Sequence, residues 1–278
     1  TSDHLANLFF DATASLPQHD CMDLFYKQYG EDGPPLLVLH GLLGANGNWH
    51  TLSRTAFQTV ATVYAIDQRN HGRSPHTDRL DYPSMAADVK EFIEQHELGR
   101  AHLLGHSMGG KTAMQAALTY PSVVDRLIVV DMAPRAYTPR HTDLLDALAR
   151  IDPSMYDDRD AIDDALAEDV PSWEIRQFLL KNLDYDGEEY TWKMNLDAIR
   201  RHYDDINAAV PDDRTFEGPT LFVRGGDSDY VSDTDGPDIR ARFPNAELVT
   251  IEGAGHWVHA DAPDALADTV TEFLTREA

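Results

Sequence analysis

Cysteine is almost absent: Cys21 is the single thiol in 278 residues. One thiol can make neither an internal disulfide framework nor a cysteine-based metal cluster, and Cys21 reads as a small buried side chain. Long apolar runs are also missing, and none approaches the ~18 residues that cross a bilayer. The opening "TSDHLANLFF" lacks the basic start and long apolar middle of a signal peptide, which points to the cytoplasm. No internal repeat or low-complexity tract divides the chain, so it reads as one large domain or one domain with an insertion.

Positive charge is scarce. Lys and Arg number 23 against 48 Asp and Glu, a net charge of −25, and Arg far outnumbers Lys. The acids are spread along the chain, as in "MYDDRDAIDDALAEDV". Phosphate contacts need bases on a positive face, so the balance argues against nucleic acid and against an anionic membrane surface as partners. Asp-rich, Lys-poor surfaces resemble those of proteins from salt-loving organisms, where ~1 M salt screens self-repulsion over a few ångströms.

What the chain does have is alternation. Short β-branched runs, "PPLLVLHG", "ATVYAIDQ", "AHLLGH", "RLIVVDMAP", "PTLFVRGG" and "AELVTIEG", read as buried strands. Between and after them, "SMAADVKEFIEQHEL", "SMGGKTAMQAALTY" and "APDALADTVTEFLTREA" carry helical spacing. The pattern is that of an α/β protein, a mostly parallel sheet covered by helices on both faces. From Tyr137 to Asp213 no strand is legible, only helical pieces punctuated by Pro153, Pro171 and Pro211. That is too long for a loop. The expected organisation is therefore a core of residues 1–136 and 214–278 with a helical cap inserted at 137–213.

"LLGHSMGGKTAM" places a serine between a strand and a helix. Gly105-His106-Ser107-Met108-Gly109 matches G-x-S-x-G, a nucleophile elbow, in which the turn strains the serine and leaves no room for side chains at 105 and 109. The helix N-terminus beneath Ser107 favours developing negative charge. A serine hydroxyl needs a base to take its proton. Among 13 histidines, His256 in "GAGHWVHAD" follows the last strand, where this elbow architecture keeps its base. His259 is expected to pack locally, His106 to point away from the site, and His71 and His102 to be structural. Two backbone N–H groups must meet the oxyanion: that of Met108, and that of Leu42 in "LHGLLGANGNWH", just after His40-Gly41.

The acid that orients the base has several candidates. In the G-x-x-D-x-x-V pattern after "PTLFVRGG", Gly225 and Val231 align, but Ser228 stands where Asp belongs, flanked by Asp227 and Asp229. Asp131 ends the apolar strand "RLIVVDMAP", where a carboxylate is costly unless paired. Asp131 is the favoured acid and Asp229 the main alternative, with capping of the next turn as the other role open to Asp131. Trp49, Met132, Tyr137, Trp173, Phe178 and Trp257 are candidate pocket walls.

Together "HGLLG", "DQRNHGRS", "GHSMGGKTAM", "VVDMAP", "GGDSDYV" and "GAGHWVHAD" cover nearly the whole chain. With these motifs it resembles the α/β-hydrolases, and within them the bacterial YbfF-type esterases and their abhydrolase-domain 11 relatives. The resemblance implies an α/β-hydrolase fold and a serine esterase or thioesterase acting on small acyl esters, acyl-CoA among them. It also implies that Asp131 completes the triad with Ser228 assisting, and that Asp67, Arg69 and Ser74 brace a loop. The strong negative charge disfavours CoA esters at low salt, which leaves short neutral esters as the expected substrates. The chemistry calls for no metal and no organic cofactor. The alternatives are carbon–carbon bond hydrolysis or a lyase on the same triad, and a ligand-binding receptor without turnover. A dehalogenase or epoxide hydrolase would need an aspartate at 107.

Overall fold

The computed structural model describes residues 22–211 and 213–276. Cys21, read from the sequence as a buried thiol, lies outside the described residues. Among the described residues nine strands run in chain order: β1 Tyr26–Tyr29, β2 Pro35–Leu39, β3 Thr62–Ile66, β4 Ala101–His106, β5 Val124–Val130, β6 Leu183–Tyr185, β7 Tyr190–Trp192, β8 Thr220–Gly225 and β9 Ala246–Ile251. Seven of them form one sheet in the order β1-β3-β2-β4-β5-β8-β9. All neighbours in it are parallel except β1, which runs antiparallel to β3.

The six strands expected from the sequence are all present in this sheet. Their apolar continuity has a direct cause: in β2, β4 and β5 nearly every side chain is buried, because helices cover both faces. Two clusters flank the sheet. One packs Leu37, Leu103 and Val129 against helices Tyr82–Gln95 and Met108–Thr119. The other packs Val38, Leu104 and Ile128 near the C-terminal helix Pro263–Thr275. Asp81 starts the first of these helices by accepting the Ser84 N–H at 2.8 Å.

Between β5 and β8 the chain leaves the sheet for helices Thr142–Arg150, Arg159–Ala167, Trp173–Leu179, Leu196–Arg201 and Tyr203–Asn207. The expectation of a strand-free segment is corrected here, because β6 and β7 pair antiparallel within it. Each is three residues long, too short to show alternation, and the turn between them is closed by Asp186, whose side chain accepts the N–H groups of Glu188 and Glu189. Leu145, Leu148, Ile162, Leu166 and Ile199 of this segment share a buried cluster with Leu43, Leu80, Tyr82, Met85 and Met108. The segment thus rests on the loops that follow β2 and β4, over the C-terminal ends of the strands, where open parallel sheets place their sites.

Candidate active site

Ser107 occupies the turn from β4 into the helix Met108–Thr119 at φ 53° and ψ −118°. A non-glycine residue with positive φ is strained, and it is held here by neighbours that leave no alternative. The Ser107 N–H donates to Val130 O of β5 at 3.1 Å, and its carbonyl accepts the Lys111 N–H at 3.1 Å. A Cβ on Gly105 would lie 2.1 Å from Gly109 O, and one on Gly109 would lie 2.4 Å from Leu39 O. Strand, turn and helix pass too closely for any side chain at either position. Gly41, in the loop after β2, sits against the same turn: an added Cβ there would be 3.3 Å from Ser107 Cβ. That loop carries Leu42 to the serine. Met108 opens its helix, so its N–H has no acceptor within the helix.

Asp131 follows β5 at φ 49° and is fully buried. Its own N–H donates to Val223 O at 2.7 Å. Its carboxylate is surrounded by donors. Oδ1 accepts the Gly225 N–H at 3.0 Å, and Oδ2 accepts both the Ser228 hydroxyl and His256 Nδ1, the latter at 2.7 Å. A buried carboxylate is tolerated only when so paired. The hydrogen bond fixes the proton on His256 Nδ1 and leaves Nε2 for a reacting group. Asp229 is not brought to the histidine: it is exposed and pairs with Arg140 at 2.5 Å. Asp227 is exposed as well. Ser228 stands at the register where an acid was sought, and it donates to the acid instead.

Two aromatic rings lie against His256, and a third stacked pair sits beside them. Tyr230 stacks on its ring at 3.7 Å between centroids and 14° between planes, His106 lies 4.7 Å away, and His259 in turn stacks on Trp49 at 5.0 Å. The expectation that His106 points away from the site is corrected: its ring lines the serine cavity, and its Nε2 donates to the carbonyl oxygen of His256 at 2.8 Å. Burial, then the neighbouring histidines, push His106 well below the usual imidazole pKa, and burial, then His256 and the Lys181 charge, lower His259 to about 4. Both stay neutral at pH 7. His40 is also neutral through burial. Its Nε2 accepts the Gln68 N–H at 3.0 Å, so its Nδ1 carries the proton donated to Gly41 O at 2.8 Å, which stiffens the Leu42 loop. Asp67, Arg69 and Ser74 sit in a connected buried loop: Arg69 clamps Asp88 with two 2.6 Å bonds, and Asp67 accepts the Arg73 N–H at 2.9 Å.

Ser107 opens onto two compartments. The larger, about 340 Å³, is lined by Leu42, Trp49, Phe178, Trp257 and His256 and is mostly apolar. The smaller, about 40 Å³, is lined by Met108, Met132, Tyr137, Arg140 and Tyr203. They meet at Leu42, Ser107, His141 and Tyr230. Trp173 corrects the expected lining: it is 60% exposed at the first position of its helix. Ile175 and Phe178 turn toward the cavity, and Trp173 falls on the other side of the same short helix. The residues missed in the sequence are His106, whose partner is a backbone carbonyl 150 residues away, and Tyr230, which nothing in "GGDSDYV" marks as a stacking partner.

The chain belongs to the α/β hydrolase fold family, whose model matches residues 34–263. It is 40% identical to the sn-1-specific diacylglycerol lipase ABHD11 of Danio rerio, across 87% of this chain and 79% of that protein. It is 32% identical to Esterase YbfF of Escherichia coli, across 89% and 95%. A solved structure described as a marine microorganism esterase superposes with a TM-score of 0.88 at 42% identity, covering 91% of this chain and 99% of that one. The protein is accordingly an enzyme of the carboxylic ester hydrolase kind. Among the described residues no helix is long and apolar enough to cross a membrane.

Proposed function

We propose that this enzyme hydrolyses small, short-acyl carboxylic esters, and thioesters by the same route, through an acyl-enzyme on Ser107. One observation carries the reading: a strained elbow serine shares a cavity with an imidazole whose far nitrogen is bonded to a fully buried carboxylate at 2.7 Å. In this reading His256 Nε2 takes the serine proton as Oγ attacks the carbonyl carbon, and Asp131 stabilises the imidazolium. The N–H groups of Leu42 and Met108 receive the oxyanion, a role favoured by their fixed backbone and by the helix N-terminus at Met108. His256 then protonates the leaving alcohol. A water, activated by the same nitrogen, releases the acid and restores the serine.

The compartments support short acyl groups. At about 12 Å³ per water-sized position, a 40 Å³ chamber has room for about three to four non-hydrogen atoms, the size of an acetyl or propionyl group. The larger apolar chamber then receives the alcohol, under a cap formed by residues 137–213. A chain-length series of p-nitrophenyl esters tests the reading, with kcat/KM expected to be highest at acetate or propionate. Ser107→Ala should abolish turnover, and a stalled acyl adduct should appear by mass spectrometry on Ser107 alone. Unchanged hydrolysis by Ser107→Ala would discard the proposal.

A further inference from the structure

Lysine is rare in this chain, which has five. Lys111 is wholly buried, and Lys90 pairs with Glu94 at 2.6 Å. The other three, Lys27, Lys181 and Lys193, line a single groove together with Arg73. The groove measures about 440 Å³ and shares Leu43, Gly44, Asn48 and Phe178 with the serine cavity, so it continues the rim of the site.

For a chain of net charge −25 this is an inversion of local charge. The carboxylate within the groove lining is Asp67, buried, with its oxygens occupied by Asn46 N at 2.6 Å, Asn46 Nδ2 at 2.8 Å and Arg73 N at 2.9 Å. Asp184 lies 3.7 Å from Lys193. Among the described residues no carboxylate comes within ion-pair distance of Lys27, Lys181 or Arg73. Two of these cations rest on rings instead: Lys27 over Tyr29 at 5.3 Å and Arg73 over Phe25 at 5.2 Å. Four cations held together at a cavity mouth repel one another, and a bound polyanion would relieve that repulsion.

We infer that this groove binds the phosphate-bearing part of an anionic ester, whose acyl carbonyl reaches Ser107 through the adjoining cavity. The inference rests on the esterase reading and narrows its substrate class to esters of small phosphorylated alcohols. Arg73 offers a planar fork that matches phosphate oxygens, and the lysines offer mobile point charges around it. A soluble ligand fits better than a phospholipid surface, because a membrane would have to approach the acidic exterior as well as the groove. Beyond the ~10 Å screening length at 0.1 M salt the exterior field fades, whereas contacts inside the groove persist. Hydrolysis would consume one water and release the carboxylic acid and the phosphorylated alcohol.

The test is calorimetric titration of the full chain with inorganic pyrophosphate. Saturable one-to-one binding is expected, weakened about tenfold by Lys181→Glu and by Arg73→Glu, the loss of one charge-assisted contact each. Lys90→Glu makes the same change of net charge outside the groove and should leave affinity within about twofold of the parent. The ratio of kcat/KM for 1-acetylglycerol 3-phosphate to that for p-nitrophenyl acetate should fall about tenfold in Lys181→Glu. Absence of pyrophosphate binding, equal weakening by Lys90→Glu, or an unchanged ratio would each overturn the proposal. So would binding to phosphatidylglycerol vesicles with none to pyrophosphate. Hydrolysis of the neutral ester without pyrophosphate binding would remove the groove and keep the esterase. Pyrophosphate binding with neither ester hydrolysed would remove the esterase reading, and with it the substrate assignment.

Discussion

The Nε2–H of His106 donates to the carbonyl oxygen of His256 across 2.8 Å, so the residue just before the elbow serine holds the loop that carries the imidazole. Serine and histidine are thereby positioned by one another's neighbours. His106→Leu removes the donor and frees that loop. Turnover should fall by about ten- to a hundredfold while KM moves little, because misplacement of a reacting group acts on the transition state. His106→Gln, which keeps an N–H donor, should recover part of the loss. Steady-state kinetics of the three proteins on p-nitrophenyl acetate read this out.

The two candidate acids differ in what they touch. Asp131 is buried among three donors, and Asp229 is an exposed partner of Arg140. Asp131→Asn should lower kcat by about 10⁴, since the amide cannot hold the Nδ1–H tautomer. Asp229→Asn should change kcat by less than about threefold, the scale of an exposed ion pair. The reverse outcome would move the acid to Asp229.

Lys111 is buried, and among the described residues no carboxylate comes within ion-pair distance of it. Its Nζ donates to Asn207 O and Ala208 O at the end of the helix Tyr203–Asn207 and lies 4.8 Å from the Tyr137 ring centre. Burial, and then the charge of Arg135, lower its pKa to about 7. The unfolded chain keeps this lysine protonated up to about 10.4, so between pH 7 and that value the unfolded state holds more protons, and stability rises with pH. Below pH 7 both states are charged and the cost is fully present. Thermal unfolding from pH 7 to 9.5 should therefore show a rise of roughly 1–3 kcal/mol that Lys111→Met abolishes. Equal pH profiles for the two proteins would exclude this origin.

The acidic exterior predicts a salt response. Self-repulsion of a chain at −25 weakens as the screening length drops from ~10 Å at 0.1 M to ~3 Å at 1 M salt. The melting temperature should rise by about 10 °C or more between 0.1 M and 2 M KCl, which corresponds to a few kcal/mol for a chain of this size. A flat profile in differential scanning calorimetry would contradict the reading.

What was legible in the sequence was whatever sits in contiguous pattern. β2, β4 and β5 announce themselves because burial on both faces demands unbroken apolar runs, and Ser107 because the elbow needs Gly105 and Gly109 beside it. The edge strand β1, "YKQY", escaped notice because its exposed Lys27 and Gln28 satisfy no strand pattern, and β6 and β7 because three residues carry no period. The orienting acid stayed open because Ser228, Asp229 and Asp131 are separated in sequence and sorted only by the geometry after β5 and β8. Lys27, Lys181 and Lys193 likewise become a groove only when the chain brings distant segments together.

The long excursion leaves the core after Asp131 and closes on itself before the chain runs back to β8: the Tyr137 N–H donates to Asn207 O at 2.8 Å and the Val210 N–H to Pro134 O at 2.9 Å. Its two attachment points are therefore held side by side by backbone hydrogen bonds. A module anchored so narrowly can be exchanged like a cartridge, since swapping it asks the scaffold only to rejoin adjacent ends. Grafting that stretch from a relative offers a route to new selectivity with the reacting groups left where they are.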